Sequence, residues 1–132
     1  MAKKFYFKVK IYYEDTDAGG VVYYANYLKF LERARSEAIY SLDYTNSSLL
    51  EKFGILLIVK SCNIEYKKPA KFEDKLEVFS EVKSFTKTSF LMKQSILRNN
   101  EIITDAEVHL VSVDKNGKPS KLPDELKEKL EN

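Results

Sequence analysis

Residues 12–42 read YYEDTDAGGVVYYANYLKFLERARSEAIYSL, and the rest of the chain is arranged around them. Tyr27, Phe30, Leu31, Ala34, Ala38 and Leu42 recur at three- and four-residue steps, which lays one apolar stripe along a long helix. Lys29, Glu32, Arg33, Ser36 and Glu37 fall elsewhere on the cylinder, and Arg33 and Glu37 have the spacing of an i,i+4 ion pair. Gly19 and Gly20 permit turn backbone that a Cβ would hinder, so the helix is expected to begin after them, near Tyr23 to Ala25. Unpaired amides and the positive dipole end attract negative charge there, including a developing oxyanion. Glu14, Asp15 and Asp17 bring carboxylates close to the same point. An acid facing free amides suits acyl transfer.

Upstream, Phe5, Phe7, Val9, Ile11 and Tyr13 alternate with polar or exposed-type residues, the pattern of a strand with one buried face. Downstream, Ser48 to Glu51 has the form of a capping box, which predicts a short helix running to Phe53 and ended by Gly54. From Ile55 the character becomes β. Cys62, Ile64 and Tyr66 share a face predicted to point inward, and Pro69 breaks that strand. Leu76, Val78 and Val82 mark a third strand, and Phe90, Met92, Gln94 and Ile96 a fourth. Asn99-Asn100 signals a turn into a fifth, with Ile102, Thr104, Ala106, Val108 and Leu110 on one side. Asn116-Gly117 is another turn, and Pro123 to Leu130 reads as a charged terminal helix. Consecutive strands without crossover helices imply an antiparallel sheet, so the class is α+β, with the sheet curled around one long helix.

At 132 residues and 44% apolar content, a single domain spanning 1–132 is expected, with no internal repeat. Nine Tyr and eight Phe at this length favour strands over a helical bundle. The net charge of +2, with lysines interspersed among acids, argues against nucleic acid as a partner. A lone cysteine, Cys62, excludes an internal disulfide and suits a reducing compartment. Lys8 and Lys10 interrupt any export signal, and the longest apolar run, Ile55 to Val59, is far too short for a transmembrane segment. The chain reads as cytoplasmic.

Among the acids, Asp17 has two readings: a base or nucleophile for acyl transfer, or a loop aspartate closing an Asx turn before Gly19. On turn-residue frequencies alone the second is favoured roughly three to one. Asp15 is the competing acid, read as the organiser of the loop through bonds to nearby amides.

A family resemblance reverses those odds. Tyr13, Glu14, Asp15, Thr16, Asp17, Gly19 to Tyr23, Asn26, Tyr27, Phe30, Glu32, Arg33 and Arg35 resemble the signature of the hotdog-fold acyl-CoA thioesterases of the 4-hydroxybenzoyl-CoA thioesterase family. The likeness is greatest to the Tol–Pal-associated, YbgC-like branch, and it continues more loosely through Tyr66, Pro69, Ala70 and Asp74. The resemblance implies a hotdog fold of about five strands around the long helix, and hydrolysis of acyl-CoA to acid and CoA without a metal or other cofactor. It puts the catalytic carboxylate on Asp17 and an oxyanion-binding amide at Tyr24, where the branch usually carries histidine.

Gly20, Val21 and Tyr23 then belong to the substrate site; Lys87, flanked by Thr86 and Thr88, falls where the family holds CoA, and Lys60 is a further candidate cation for it. Lys67, Lys68 and Lys71 are further cations, although an ordinary solvated face is the commoner role for any one lysine. Acyl carrier protein is the alternative donor, and a non-hydrolytic binding module the alternative function. The family's assembly is a homodimer or homotetramer that joins sheets. The remaining motif residues have plainer readings: Tyr27 as core, and Glu32, Arg33 and Arg35 as a solvated or subunit-contact face. His109 lies late in the chain and not at the start of the helix, where a hotdog dehydratase would need it, so it reads as structural. Cys62 reads as a small buried hydrophobe.

Overall fold

The computed structural model describes residues 3–132. In chain order the elements are β1 (Lys4–Lys10), a 3-10 turn (Tyr13–Asp15), α1 (Asn26–Ser41), α2 (Asn46–Phe53), β2 (Leu56–Tyr66), β3 (Lys75–Phe85), β4 (Ser89–Arg98), β5 (Glu101–Val113) and α3 (Asp124–Glu131). The five strands form one antiparallel sheet in the order β1-β3-β4-β5-β2. The long helix lies on one face of this sheet, the α+β hotdog arrangement expected, with two short helices besides.

Every residue of the apolar stripe is buried: Tyr27, Phe30, Leu31, Ala34, Ala38 and Leu42, joined by Ile39. They meet Leu76 and Val78 of β3 and Met92 and Ile96 of β4, all buried. One polar side chain lies within this layer. The Nε2 of fully buried Gln94 donates to the Leu31 carbonyl and to Ser80 Oγ, both at 3.0 Å, tying helix to sheet. Leaving such an amide unpaired there would cost about 1–3 kcal/mol.

Several expectations shift in detail. The first strand ends at Lys10, because Tyr13 is taken into the 3-10 turn that starts the acidic loop. The second helix begins at Asn46, since Thr45 and not Ser48 is its cap: the Ser48 amide donates to Thr45 Oγ1, and Ser48 Oγ accepts the Thr45 amide in return. Gly54 ends it at φ +69°, as a left-handed cap requires. Asn99 and Asn100 both take positive φ, the mark of a tight hairpin turn. The register slips between Ile96 and Leu97, so Ile103 enters the core and Ile102 is left exposed. Arg33 and Glu37 form no ion pair among the described residues.

The largest correction concerns β2. Cys62 and Tyr66 share the predicted face yet are exposed, and only Ile64 is partly buried against the core. Strand β2 is an edge of the sheet, and α1 packs against β1 and β3 at the other side. The alternation located the correct face, and the described residues cover it only in part, at Ile64 and beside Tyr66.

Candidate functional site

The acidic stretch folds into a tight loop by its own hydrogen bonds. Asp15 organises it, as its residue type suggests: its Oδ2 accepts the Tyr12 amide at 2.8 Å, and its carbonyl accepts the Tyr23 amide at 3.0 Å and Asn26 Nδ2 at 2.9 Å. Thr16 and Val22 then pair as a short antiparallel bridge, with the Asp17 amide donating to the Val21 carbonyl at 2.9 Å. A second bridge, Val21 to Lys71, anchors the loop to the segment after β2. The Val22 amide donates to the Ala70 carbonyl, and the Ala70 amide donates to the buried Tyr27 hydroxyl at 3.0 Å.

Asp17 sits at the exposed tip of this loop. Its Oδ1 accepts the Gly19 amide at 2.8 Å, so the Asx turn does form. Its Oδ2 has no hydrogen-bond partner among the described residues. The turn and a chemical role are therefore compatible: one oxygen orients the carboxylate while the other stays open. A Cβ on Gly19 would come within 3.2 Å of Asp17 Oδ1, and Gly20 adopts φ +80°, so both glycines are needed where they stand.

Helix α1 begins at Asn26 after Ala25, which offers no capping side chain, and no acid lies in its first turn. The amides of Tyr24 and Ala25 donate to no acceptor among the described residues. The Asn26 and Leu28 amides of the first turn donate to the Tyr23 and Ala25 carbonyls, so the two free amides lie just before the positive helix end. Around it stand four tyrosines. The Tyr23 and Tyr24 rings lie 4.9 Å apart, Tyr24 and Tyr66 6.4 Å, and Tyr27 and Tyr66 5.2 Å. The Tyr66 hydroxyl donates to the Tyr24 carbonyl at 3.1 Å, which ties β2 to the start of α1. Val22, Tyr24, Tyr27, Tyr66 and Pro69 line a cleft of ≈ 250 Å³. Lys67 and Lys68 complete its rim, paired to Asp105 at 3.6 Å and Glu101 at 2.6 Å.

The Tyr23 phenol is pushed above its ordinary pKa chiefly by the neighbouring Tyr24 phenol, then by burial and by the negative charge of Asp17. Burial pushes the Tyr66 phenol upward as well. Both stay protonated at neutral pH, so they are neutral donors and walls, not bases. The carboxylate is the only group of this constellation suited to take a proton or attack a carbonyl at that pH.

Asp17, Gly20, Val21, Tyr23 and Tyr24 therefore lie together at one end of the sheet. Lys60 is exposed midway along β2, at the register shift between Val59 and Ser61. Thr86, Lys87 and Thr88 form the β3–β4 turn, where Thr86 Oγ1 and Ser89 Oγ lie 2.6 Å apart and the Lys87 carbonyl accepts the Leu122 amide. That turn is at the other end of β3 from Lys75, the residue paired with Lys10 just before the acidic loop. At about 3.3 Å per residue, eleven residues of β3 separate the two by roughly 35 Å. Within one chain they do not share a site.

Tyr66 is the wall that sequence reading passed over. Its position last in the strand before a proline break was visible, but its pairing with Tyr24 depends on how β2 meets α1.

Residues 12–130 match the family model described as "Thioesterase-like superfamily". The chain is 43% identical over 124 residues to the Acyl-CoA thioesterase YbgC of Haemophilus influenzae, covering 93% of this chain and 91% of that one. It is 40% identical over 121 residues to the Acyl-CoA thioester hydrolase YbgC of Escherichia coli, covering 90% of each. In fold it is similar to a 4-hydroxybenzoyl CoA thioesterase mutant complexed with 4-hydroxybenzoyl CoA, with a TM-score of 0.92 at 20% identity over 98% of this chain and 99% of that one.

Proposed function

The chain belongs to the thioesterase-like superfamily, and we propose that its acidic loop and helix start form the site of an acyl-CoA thioester hydrolase. One observation carries the reading. Asp17 is held by one oxygen and free at the other, on a loop tied through Asp15 and Asn26 to a helix start where the Tyr24 and Ala25 amides have no partner among the described residues.

The thioester carbonyl oxygen accepts the Tyr24 amide, and the amide and helix dipole stabilise the charge that develops on it as the carbon is attacked. Two routes use the same carboxylate. As a general base, Asp17 removes a proton from water whose oxygen attacks the carbonyl carbon; the tetrahedral intermediate collapses with cleavage of the C–S bond, and the CoA thiolate takes up the proton. As a nucleophile, Asp17 bonds to the acyl carbon and expels the thiolate, and water then hydrolyses the mixed anhydride. Single turnover in ¹⁸O-water separates them: label entering Asp17 indicates the nucleophilic route. Acyl-CoA is the donor, with acyl carrier protein as the second donor to test. Gly20, Val21, Tyr23 and the tyrosine cleft hold the acyl end.

CoA binding at Lys60, Thr86, Lys87 and Thr88 requires a second copy. Strand β2 is an 11-residue edge with exposed Leu56, Ile58 and Val59, which supports pairing with another β2 about a twofold axis. Such pairing is antiparallel, so it carries the β3–β4 turn of one copy toward the loop end of the other. The assembly is a homodimer, or a homotetramer of two such dimers, and it works in the cytoplasm beside the Tol–Pal envelope system, as the resemblance to that branch suggests.

Thiol release from a panel of acyl-CoAs and acyl carrier protein thioesters, by wild type and Asp17→Asn, tests the reading. Turnover in the wild type and its loss in the variant are expected. Equal turnover in both removes Asp17 from the mechanism, and tight binding without turnover in either replaces the enzyme with a binding module.

A further inference from the structure

On the flank of α1 that faces β2, Arg35 is a partly buried cation. Partial burial lowers its pKa against the opposing negative charge of Glu32, and Nη1 donates to Gln94 Oε1 at 3.0 Å. No carboxylate of the described residues lies within 4.0 Å of it. A guanidinium has five N–H donors, and one neutral acceptor leaves most of them open on this partly buried side chain. One turn earlier on the same flank, exposed Glu32 accepts only the Ser36 hydroxyl, at 3.3 Å. Both residues line a groove of ≈ 200 Å³ whose other wall includes Leu56, Leu57 and Val59 of β2.

Position along the strand supplies the geometry. The last residue of β2, Tyr66, bonds to Tyr24 at the start of α1, and near the other end Leu57 shares the groove with Ile39. The middle of β2 is therefore level with the part of the helix that carries Glu32 and Arg35. A twofold axis through the middle of a β2–β2 seam brings that part of each helix opposite its copy. In an isologous interface, if residue i meets residue j, then j meets i.

We propose that Arg35 pairs with the partner's Glu32, and Glu32 with the partner's Arg35, as two symmetric ion pairs that complete the dimer. The inference rests on the β2-paired dimer proposed above. It assigns Arg35 an interface role and keeps it out of the chemistry.

Sedimentation velocity over a concentration series reads the dimer constant of the full chain. Glu32 is exposed, so Glu32→Arg leaves the packing of one chain intact; it sets like charges against Arg35 and is expected to weaken the dimer at least tenfold, roughly. Glu32→Gln and Arg35→Gln complete a double-mutant cycle, in which glutamine at 35 keeps a donor for Gln94. Each single change is expected to weaken the dimer, and the double variant to be no weaker than the worse single. A wild-type dimer that Glu32→Arg leaves unchanged, or single effects that multiply in the double variant, overturns the ion pair and leaves the β2 dimer standing. A wild type that stays monomeric throughout overturns the dimer reading itself.

Discussion

The two ends of α1 meet opposite surroundings. At its C-terminal end, Ile39 and Leu42 run into a closed apolar cap formed by Leu49 of α2, Leu122, and Leu126 and Leu130 of α3, all nearly or fully buried. Tyr44 seals the cap, with its hydroxyl bonded to Glu125, which also pairs with Lys52 at 2.8 Å. At its N-terminal end there is no side-chain cap, the Tyr24 and Ala25 amides have no partner among the described residues, and Tyr23, Tyr24 and Tyr66 are exposed. One end is sealed by apolar packing and the other is left open. Such a division is expected where a binding site must keep polar groups unpaired that the rest of the fold would satisfy.

Four measurements sharpen or break that contrast. The largest effect is expected at the open end: Asp17→Asn should lower kcat by about 10²–10⁴-fold, while the thermal midpoint moves little because the side chain is exposed. A matching loss of stability would mean that the open end is structural after all. At the closed end, Leu126→Ala should cost about 2–5 kcal/mol in denaturant unfolding, since the side chain is fully buried among apolar neighbours. Its kcat at 25 °C should be unchanged, and a parallel fall would show the ends to be coupled. Tyr66→Phe removes only the hydroxyl that bonds the Tyr24 carbonyl, so roughly 1 kcal/mol, or about a fivefold fall in kcat/KM, is expected.

The smallest effect concerns the support beneath the loop, where Arg98 pairs with Asp74 at 2.8 Å. Burial raises the Asp74 pKa, but the Lys71 amide and Arg98 outweigh it and hold the carboxyl below its usual value. A depressed carboxylate contributes stability above its unfolded pKa of about 3.9 and loses it as pH falls through the folded value. Arg98→Met should therefore flatten the acid limb of the stability curve below about pH 4, by no more than roughly 1 kcal/mol for a partly exposed pair. An acid limb identical to wild type would exclude the pair as a contributor.

Local signals read the loop and the helix well. The EDTD string, the glycine pair and the 3.6-residue stripe lie close together in sequence, and the bonds of Asp15 and Asp17 join neighbours of the same segment. The site's outer parts were less legible. Thr86 to Thr88 and Asp17 were grouped by resemblance, yet a strand's length separates them within one chain. Arg35 read as one more helix charge, because its bond to Gln94 spans 59 positions of sequence.

By itself, the sequence determined which residues turn toward an apolar layer, where strands and helices begin and end to within a few positions, and which acid stands before the helix. These follow from side-chain spacing and turn chemistry, which act over a few residues. Only the tertiary structure decided that β2 is a bare edge, that Cys62 lies open on it, that Tyr66 reaches Tyr24, and that Arg35 bonds to Gln94 and to no carboxylate among the described residues. Periodicity reports the face a residue occupies. Whether anything covers that face depends on pairings between distant segments.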